Sequence, residues 1–229
     1  MRDEVATMFG PIFEDRTDAG RRLADRLRDL RGKGALVLGL PRGGVVVAAE
    51  VAKELQADLD VFLACKVGAP GHEELGIGAV AMGGTCVLDH RLIHMLDIPQ
   101  EQVEEAVRKA LNELHRRKNL YRKDRPLPDL QNRITILVDD GLATGITARA
   151  AVHDLRALSP KSIVIAVPVC PPETFAAMRS EVDRFVCLAT PADFRAVGIW
   201  YEDFRQVKDE EVLQLLAQAH SHPPYTSIP

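Results

Sequence analysis

The sequence predicts an α/β protein with a parallel sheet core covered by helices on both faces. Segments such as "ALVLGL" (35–40) and "IVIAVPVC" (163–170), and "ITILV" (134–138) with Thr135 as its one polar residue, are apolar runs, the pattern of strands buried on both sides. They alternate with stretches whose apolar residues recur at helical spacing, the order expected of βαβ units. No fixed-period repeat, low-complexity tract or strong boundary interrupts this order, so a single domain over residues 1–229 is expected.

Taken in order, "RTDAGRRLADRLRDLRG" (16–32) places Leu23, Leu27 and Leu30 on one helical stripe, with Gly32 as a stop. After the strand 35–40 and the turn "PRGG", "VVVAAEVAKELQA" (45–57) reads as a helix despite its valines. "DLDVFLACKV" (58–67) reads as a second strand, "GAPGHEELG" (68–76) as a loop, and "IGAVAMGGTCVLD" (77–89) as a bent strand or a hairpin around Gly83 and Gly84. The clearest helix runs from 99 to 123, with Val103, Val107, Ala110, Leu111 and Leu114 on one stripe. Glu101, Glu104 and Glu105 lie in its first turns and Arg116, Arg117, Lys118, Arg122 and Lys123 toward its end, which complements the helix dipole; a solvated face accounts for this basic cluster. "DRPLPDLQN" links it to the strand 134–139. A helix at 146–158, a strand at 161–169, a helix at 172–180, a strand at 183–190, an aromatic stretch "PADFRAVGIWYEDF" and a helix at 208–219 follow. The tail "SHPPYTSIP" is expected to be poorly ordered.

Composition limits the class of function. The chain of 229 residues carries a formal net charge of −4, which gives no general attraction to nucleic acid or anionic lipid, so a nucleic-acid partner is not expected. Its first residues lack a signal peptide's basic start and apolar region, and no apolar run approaches the roughly 18 residues of a membrane span. A cytoplasmic protein with no membrane partner is expected. Cys65, Cys86, Cys170 and Cys187 are widely spaced, form no CxxC, and read as buried free thiols. His90 and His94 could share a helix face, but no third ligand accompanies them.

The stretch "ITILVDDGLATGIT" (134–147) carries the chemistry. In an open parallel sheet, ligands bind beyond the carboxyl ends of the strands, where Asp139 and Asp140 fall. Adjacent buried acids repel each other and suffer desolvation, so hydroxyls or a cation must compensate them. Behind them, Gly141 and Gly145 allow a close backbone approach, Thr144 and Thr147 add hydroxyls, and a helix begins: together a phosphate cradle. A ribose 5-phosphate, with vicinal hydroxyls and a phosphate a few ångströms apart, fits both halves. Neither GxGxxG nor GxxxxGK[ST] occurs. A receiver domain, whose first strand also ends in an acid pair, fails because "IVIAVPV" lacks a terminal phosphoacceptor aspartate.

This stretch resembles the phosphoribosylpyrophosphate-binding signature of the type I phosphoribosyltransferases. The resemblance implies that Asp139 and Asp140 hold the ribose 2′- and 3′-hydroxyls and approach a magnesium ion through ligand or water. Gly141, Ala143, Thr144, Gly145, Ile146 and Thr147 would then wrap the 5-phosphate. "LPRGG" lies where the family's pyrophosphate loop stands, often with a strained peptide bond, which assigns that role to Pro41, Arg42, Gly43 and Gly44. "KVGAPGHEELGIGAV" (66–80) looks like the flexible lid, with Lys66 either contacting pyrophosphate or ending a strand in solvent, and with His72 within it. The motifs "LPRGG", "VDDG-ATG-T", "VPV-PPE" and "W-YEDF" further resemble a subgroup of stand-alone phosphoribosyltransferase-like proteins. A small hood is implied, formed from about 1–30 and 168–215.

The implied activity is transfer of a phosphoribosyl group from phosphoribosylpyrophosphate to a nitrogenous base or related amine, with Mg2+ and release of pyrophosphate. The alternative is a non-catalytic phosphoribosylpyrophosphate or nucleotide sensor of the same fold. Trp200 and Phe194 are the candidates for an acceptor-binding platform, against the plainer reading of Trp200 as a core residue of the hood. The lid lacks the Ser-Tyr pair of the purine enzymes and the Lys- and His-rich pattern of the orotate enzymes, so no acceptor is assigned. Members of the family are often homodimers.

Overall fold

The computed structural model describes residues 10–123 and 125–221. Its core is a five-stranded parallel sheet in the order β2-β1-β6-β7-β8, formed by β1 (Leu36–Gly39), β2 (Asp58–Val61), β6 (Ile134–Val138), β7 (Ser162–Val169) and β8 (Arg184–Ala189). Alternation along β1 divides the core. Val37 packs on one side with Leu23 of α1 (Arg16–Asp25) and Leu27 just beyond it, Val51 of α2 (Gly43–Leu55), and Val212 and Leu216 of α7 (Asp209–His220). Leu36 and Leu38 pack on the other with Ala151 and Leu155 of α5 (Ile146–Ala157). Both faces are thus buried, which is why the strands read as continuous apolar runs. A short helix α6 (Pro172–Met178) joins β7 to β8.

Packing overrides propensity in α2. A valine costs up to about 0.7 kcal/mol of helix propensity, whereas burying its side chain contributes about 1.5–3 kcal/mol. Val45 and Val47 are fully buried, so the helix forms.

The sequence reads 58–67 as one strand, but the chain leaves the core sheet after Val61. Phe62 and Leu63 are buried at the crossing, so the apolar run shows no break where the path turns. β3 (Ala64–Ala69), β4 (His72–Ala81) and β5 (Cys86–Leu88) form a separate antiparallel sheet. The expected loop at 68–76 is therefore the tip of a β3–β4 hairpin, in which Ala69 faces His72 across Pro70 and Gly71, with Gly71 at φ +75°. Glu73 and Glu74 are both exposed because the tip projects from the core, and this hides the period-two pattern. The hairpin between β4 and β5 turns at Gly83 and Gly84; Asp154 of α5 fastens it, accepting the amides of Gly83 at 2.6 Å and Thr85 at 3.1 Å.

Helices α3 (His90–Met95) and α4 (Gln100–Tyr121) lead back to β6. The predicted stripe of α4 is the packed one: Val103, Ala110 and Leu114 are buried. Its basic end is not a uniformly solvated face. Arg122 is 2% exposed and donates to Asp60 at 2.9 Å, to the Val61 carbonyl at 2.9 Å and to the Pro126 carbonyl at 2.6 Å, tying α4 to the edge strand. The cysteines are free, but Cys86 is exposed rather than buried.

Residues near both ends meet in an aromatic cap beside the strand tips. The amides of Ile12 and Phe13 donate to the Trp200 carbonyl at 2.8 and 3.0 Å, and Glu202 donates back to Phe13 at 2.8 Å. Of the segments expected to form the hood, 1–9 lie outside the described residues, as does the tail beyond Ser221. No helix among the described residues is long and apolar enough to cross a membrane.

Candidate functional site

The strand order creates the site. From β1 the chain proceeds through α2 to β2 on one side, and from β6 through α5 to β7 on the other. The loops after β1 and β6 therefore diverge from neighbouring strands and leave a crevice, the usual ligand position of an open parallel sheet. The register sets both loops at one level, since Gly39 pairs with Val138 and the Leu40 amide donates to the Val138 carbonyl at 2.9 Å. Residues 40–44 thus abut Asp139 and Asp140.

Close approach explains the glycines. A Cβ on Gly43 would collide with Oδ2 of Asp140, and one on Gly44 would stand 2.8 Å from the Cα of Asp139. Only bare backbone lets the start of α2 lie against both acids. The Pro41–Arg42 peptide bond is cis. Gly145, at φ +72°, turns the other loop into α5. In that loop the amides of Ala143, Thr144, Gly145 and Thr147 donate to no group among the described residues. Leu142 anchors it by donating to the Val169 carbonyl at 3.0 Å, and the Thr174 hydroxyl donates to the Ala143 carbonyl at 2.6 Å. Two helix N-termini, those of α2 and α5, converge on one crevice, and both favour anionic groups.

The two acids face different surroundings. Asp139 lines a cleft of about 340 Å³ together with Pro41, Lys66 and Thr147. One of its oxygens accepts the Asp140 amide at 2.9 Å. Burial first, and then the Asp140 charge, push its carboxyl well above the usual range. Asp140 turns toward the hood, where Oδ2 accepts from Nε of Arg16 at 2.7 Å. Arg16 also lies 3.8 Å over the Phe204 ring and donates to the Arg205 carbonyl at 2.9 Å. The Tyr201 hydroxyl donates to the Asp140 carbonyl at 2.5 Å. Burial raises the Asp140 carboxyl as well, against the opposing Arg16 charge.

The remaining residues singled out in the sequence divide between cleft and hood. Lys66 stands at the cleft, its ammonium donating to the Glu74 carbonyl at 2.8 Å and lying 3.3 Å from the Glu74 carboxylate. Arg42 lies at the start of α2, with a guanidinium nitrogen 3.8 Å from Asp209. Trp200 is 5% exposed and packs with Phe13, Val169 and Tyr201, while Phe194 stacks on it at 6.4 Å between ring centroids. Neither ring lines the cleft of Asp139.

Four participants escape sequence reasoning. Arg16 meets Asp140 across 124 positions, a pairing that no local pattern announces. Tyr201 lies inside the motif "W-YEDF" and Thr174 directly follows "VPV-PPE", neither of which gave them a role. Arg117 reaches the cleft from α4.

Comparison with known proteins agrees with this fold. The family model described as "phosphoribosyl transferase domain" matches residues 13–199. Two Mycobacterium tuberculosis proteins, from strains CDC 1551 / Oshkosh and ATCC 25618 / H37Rv, are named as candidate phosphoribosyl transferases. Each is 46% identical over 209 residues, 91% of this chain. The chain spans 47% of the length of these relatives. The crystal structure of TT1426 from Thermus thermophilus superposes with a TM-score of 0.74 at 42% identity, covering 90% of this chain and 98% of that one. The chain belongs to the phosphoribosyl transferase domain family.

Proposed function

We propose that this domain binds phosphoribosylpyrophosphate with magnesium and transfers the phosphoribosyl group to a nitrogenous base or related amine, releasing pyrophosphate. One observation carries the reading. Two helix N-termini with unpartnered amides flank a carboxylate pair at a single sheet crevice, which matches a ligand bearing phosphate groups on either side of a diol.

In this reading the amides of 143–147 hold the 5-phosphate. Asp139, with Asp140 behind it, accepts the ribose hydroxyls, and residues 41–44 with Lys66 hold the pyrophosphate. Hydroxyl donors suit Asp139, because they compensate a carboxylate that burial disfavours. As the C1–O bond to pyrophosphate breaks and the bond from C1 to the acceptor nitrogen forms, the ribose acquires oxocarbenium character and the leaving group gains charge. The protein then acts by orientation and by preorganised positive dipoles at the leaving group. The acceptor's surplus proton passes to solvent water after the C–N bond forms. The β3–β4 hairpin flanks the cleft through Lys66, where its closure would exclude the water that hydrolyses such a transition state.

Magnesium fits as a shared ion. Among the described residues no group of three or more His, Cys, Asp or Glu could hold a metal by itself, so Asp139 and Asp140 would share it with ligand and water oxygens. When bound, it neutralises diphosphate charge.

The test is pyrophosphate release from phosphoribosylpyrophosphate and Mg2+ against a panel of purine, pyrimidine and pyridine bases and simple amines. Acceptor-dependent release supports transfer. Binding without release for any acceptor contradicts it in favour of a sensor.

A further inference from the structure

We infer that Arg117 of α4, outside both signature loops, binds the departing pyrophosphate through the free end of its guanidinium. This inference rests on the phosphoribosyl-transfer reading of the cleft. Arg117 lines the same 340 Å³ cleft as Pro41, Lys66, Asp139 and Thr147. Its side chain is 25% exposed and is aimed by Glu113, whose carboxylate accepts from Nε at 2.7 Å. That single bond leaves both terminal nitrogens without a partner among the described residues.

The neighbouring cations are differently engaged. Arg116 is clamped by Glu113 at 2.7 and 3.0 Å and reaches Asp209 at 3.6 Å. Arg42 stands 3.8 Å from the same Asp209, which also accepts the Tyr121 hydroxyl. Lys66 is held by Glu74. Two carboxylates therefore hold three arginines beside the 40–44 loop, and Arg117 is the one that offers a free planar fork to the cleft. Such a fork binds two oxygens of a phosphate group through parallel hydrogen bonds in one plane, a geometry that an ammonium lacks. Glu113 remains a carboxylate, since its hydrogen bonds from Arg116 and then Arg117 lower it to about 2. It orients Arg117 rather than exchanging protons.

The experiment is titration calorimetry of Mg2+–pyrophosphate and, separately, ribose 5-phosphate into wild type, Arg117→Gln and Arg117→Lys, with a melting curve for each. A charged hydrogen bond contributes about 1.5–3 kcal/mol, so Arg117→Gln is expected to weaken pyrophosphate about tenfold or more. Arg117→Lys should restore part of that loss, and ribose 5-phosphate affinity should stay within about twofold because, among the described residues, no hydrogen bond or ion pair links Arg117 to the 143–147 loop. Unchanged pyrophosphate affinity in Arg117→Gln overturns the inference while leaving the parent reading intact. Equal loss of both ligands with a lowered melting temperature in both variants overturns it in favour of a structural role. Failure of wild type to bind either ligand overturns the parent reading and this inference with it.

Discussion

Replacing Asp140 by asparagine tests the division of labour between the two acids. The substitution keeps the shape but removes the charge that pairs with Arg16, whose side chain is 9% exposed while that of Asp140 is 15% exposed. Removing one partner of a buried pair costs about 3–5 kcal/mol. Three features lower that figure here. Arg16 retains the Arg205 carbonyl and the Phe204 ring, Asp139 is relieved of its neighbour's repulsion, and burial already disfavours the Asp140 charge. A net loss of about 2 kcal/mol follows, which for a chain of this size lowers Tm by about 4–8 °C. Differential scanning calorimetry of the ligand-free protein at pH 7 reads it. A melting temperature equal to or above wild type would refute the claim that the Arg16–Asp140 pair fastens the hood to the sheet.

Asp139→Asn should behave oppositely, because the arginine pairs with Asp140 and Asp139 accepts only a backbone amide among the described residues. Burial raises the folded carboxyl above its unfolded value of about 3.9, so the stability this group contributes in its protonated form is lost as pH rises through the raised folded value. The asparagine variant is therefore expected to melt higher than wild type at pH 8, with the gain shrinking toward pH 4, and to lose sugar-phosphate binding; a lower Tm at pH 8 would contradict this. Thr174→Val removes the 2.6 Å bond to the Ala143 carbonyl; calorimetry should show about 0.5–1 kcal/mol of lost stability and titration a several-fold weaker ribose 5-phosphate. Arg122→Met strands Asp60, which is 5% exposed, and should cost about 3–5 kcal/mol in urea denaturation. Adding Asp60→Asn should recover part of that loss.

The parallel core was legible because its physics is local. "ITILV" and "IVIAVPV" are apolar on both faces since helices cover both faces, and "DDGLATGIT" needs its glycines where backbone must approach a ligand or a neighbouring strand. The exit after Val61 was not legible, because Phe62 and Leu63 are as buried outside the sheet as a strand would be within it. The hairpin at 68–76 was masked for the reverse reason: its tip is solvated on both faces, so alternation vanished. At the site, the acids and both loops are contiguous motifs. Their supports, Arg16 and Arg117, come from helices remote in sequence, and their roles follow from what they touch. The basic end of α4 shows the limit most clearly, since Arg122 is buried and Arg117 faces the cleft although the stretch reads as a solvated surface.

The most direct test of the account is isothermal titration of phosphoribosylpyrophosphate with Mg2+ into wild type and Asp139→Asn side by side. Saturable one-site binding to wild type, lost in a variant that remains folded, is the predicted result. Absence of binding to wild type, or equal binding to both proteins, would contradict the assignment of this crevice to a phosphoribosyl donor.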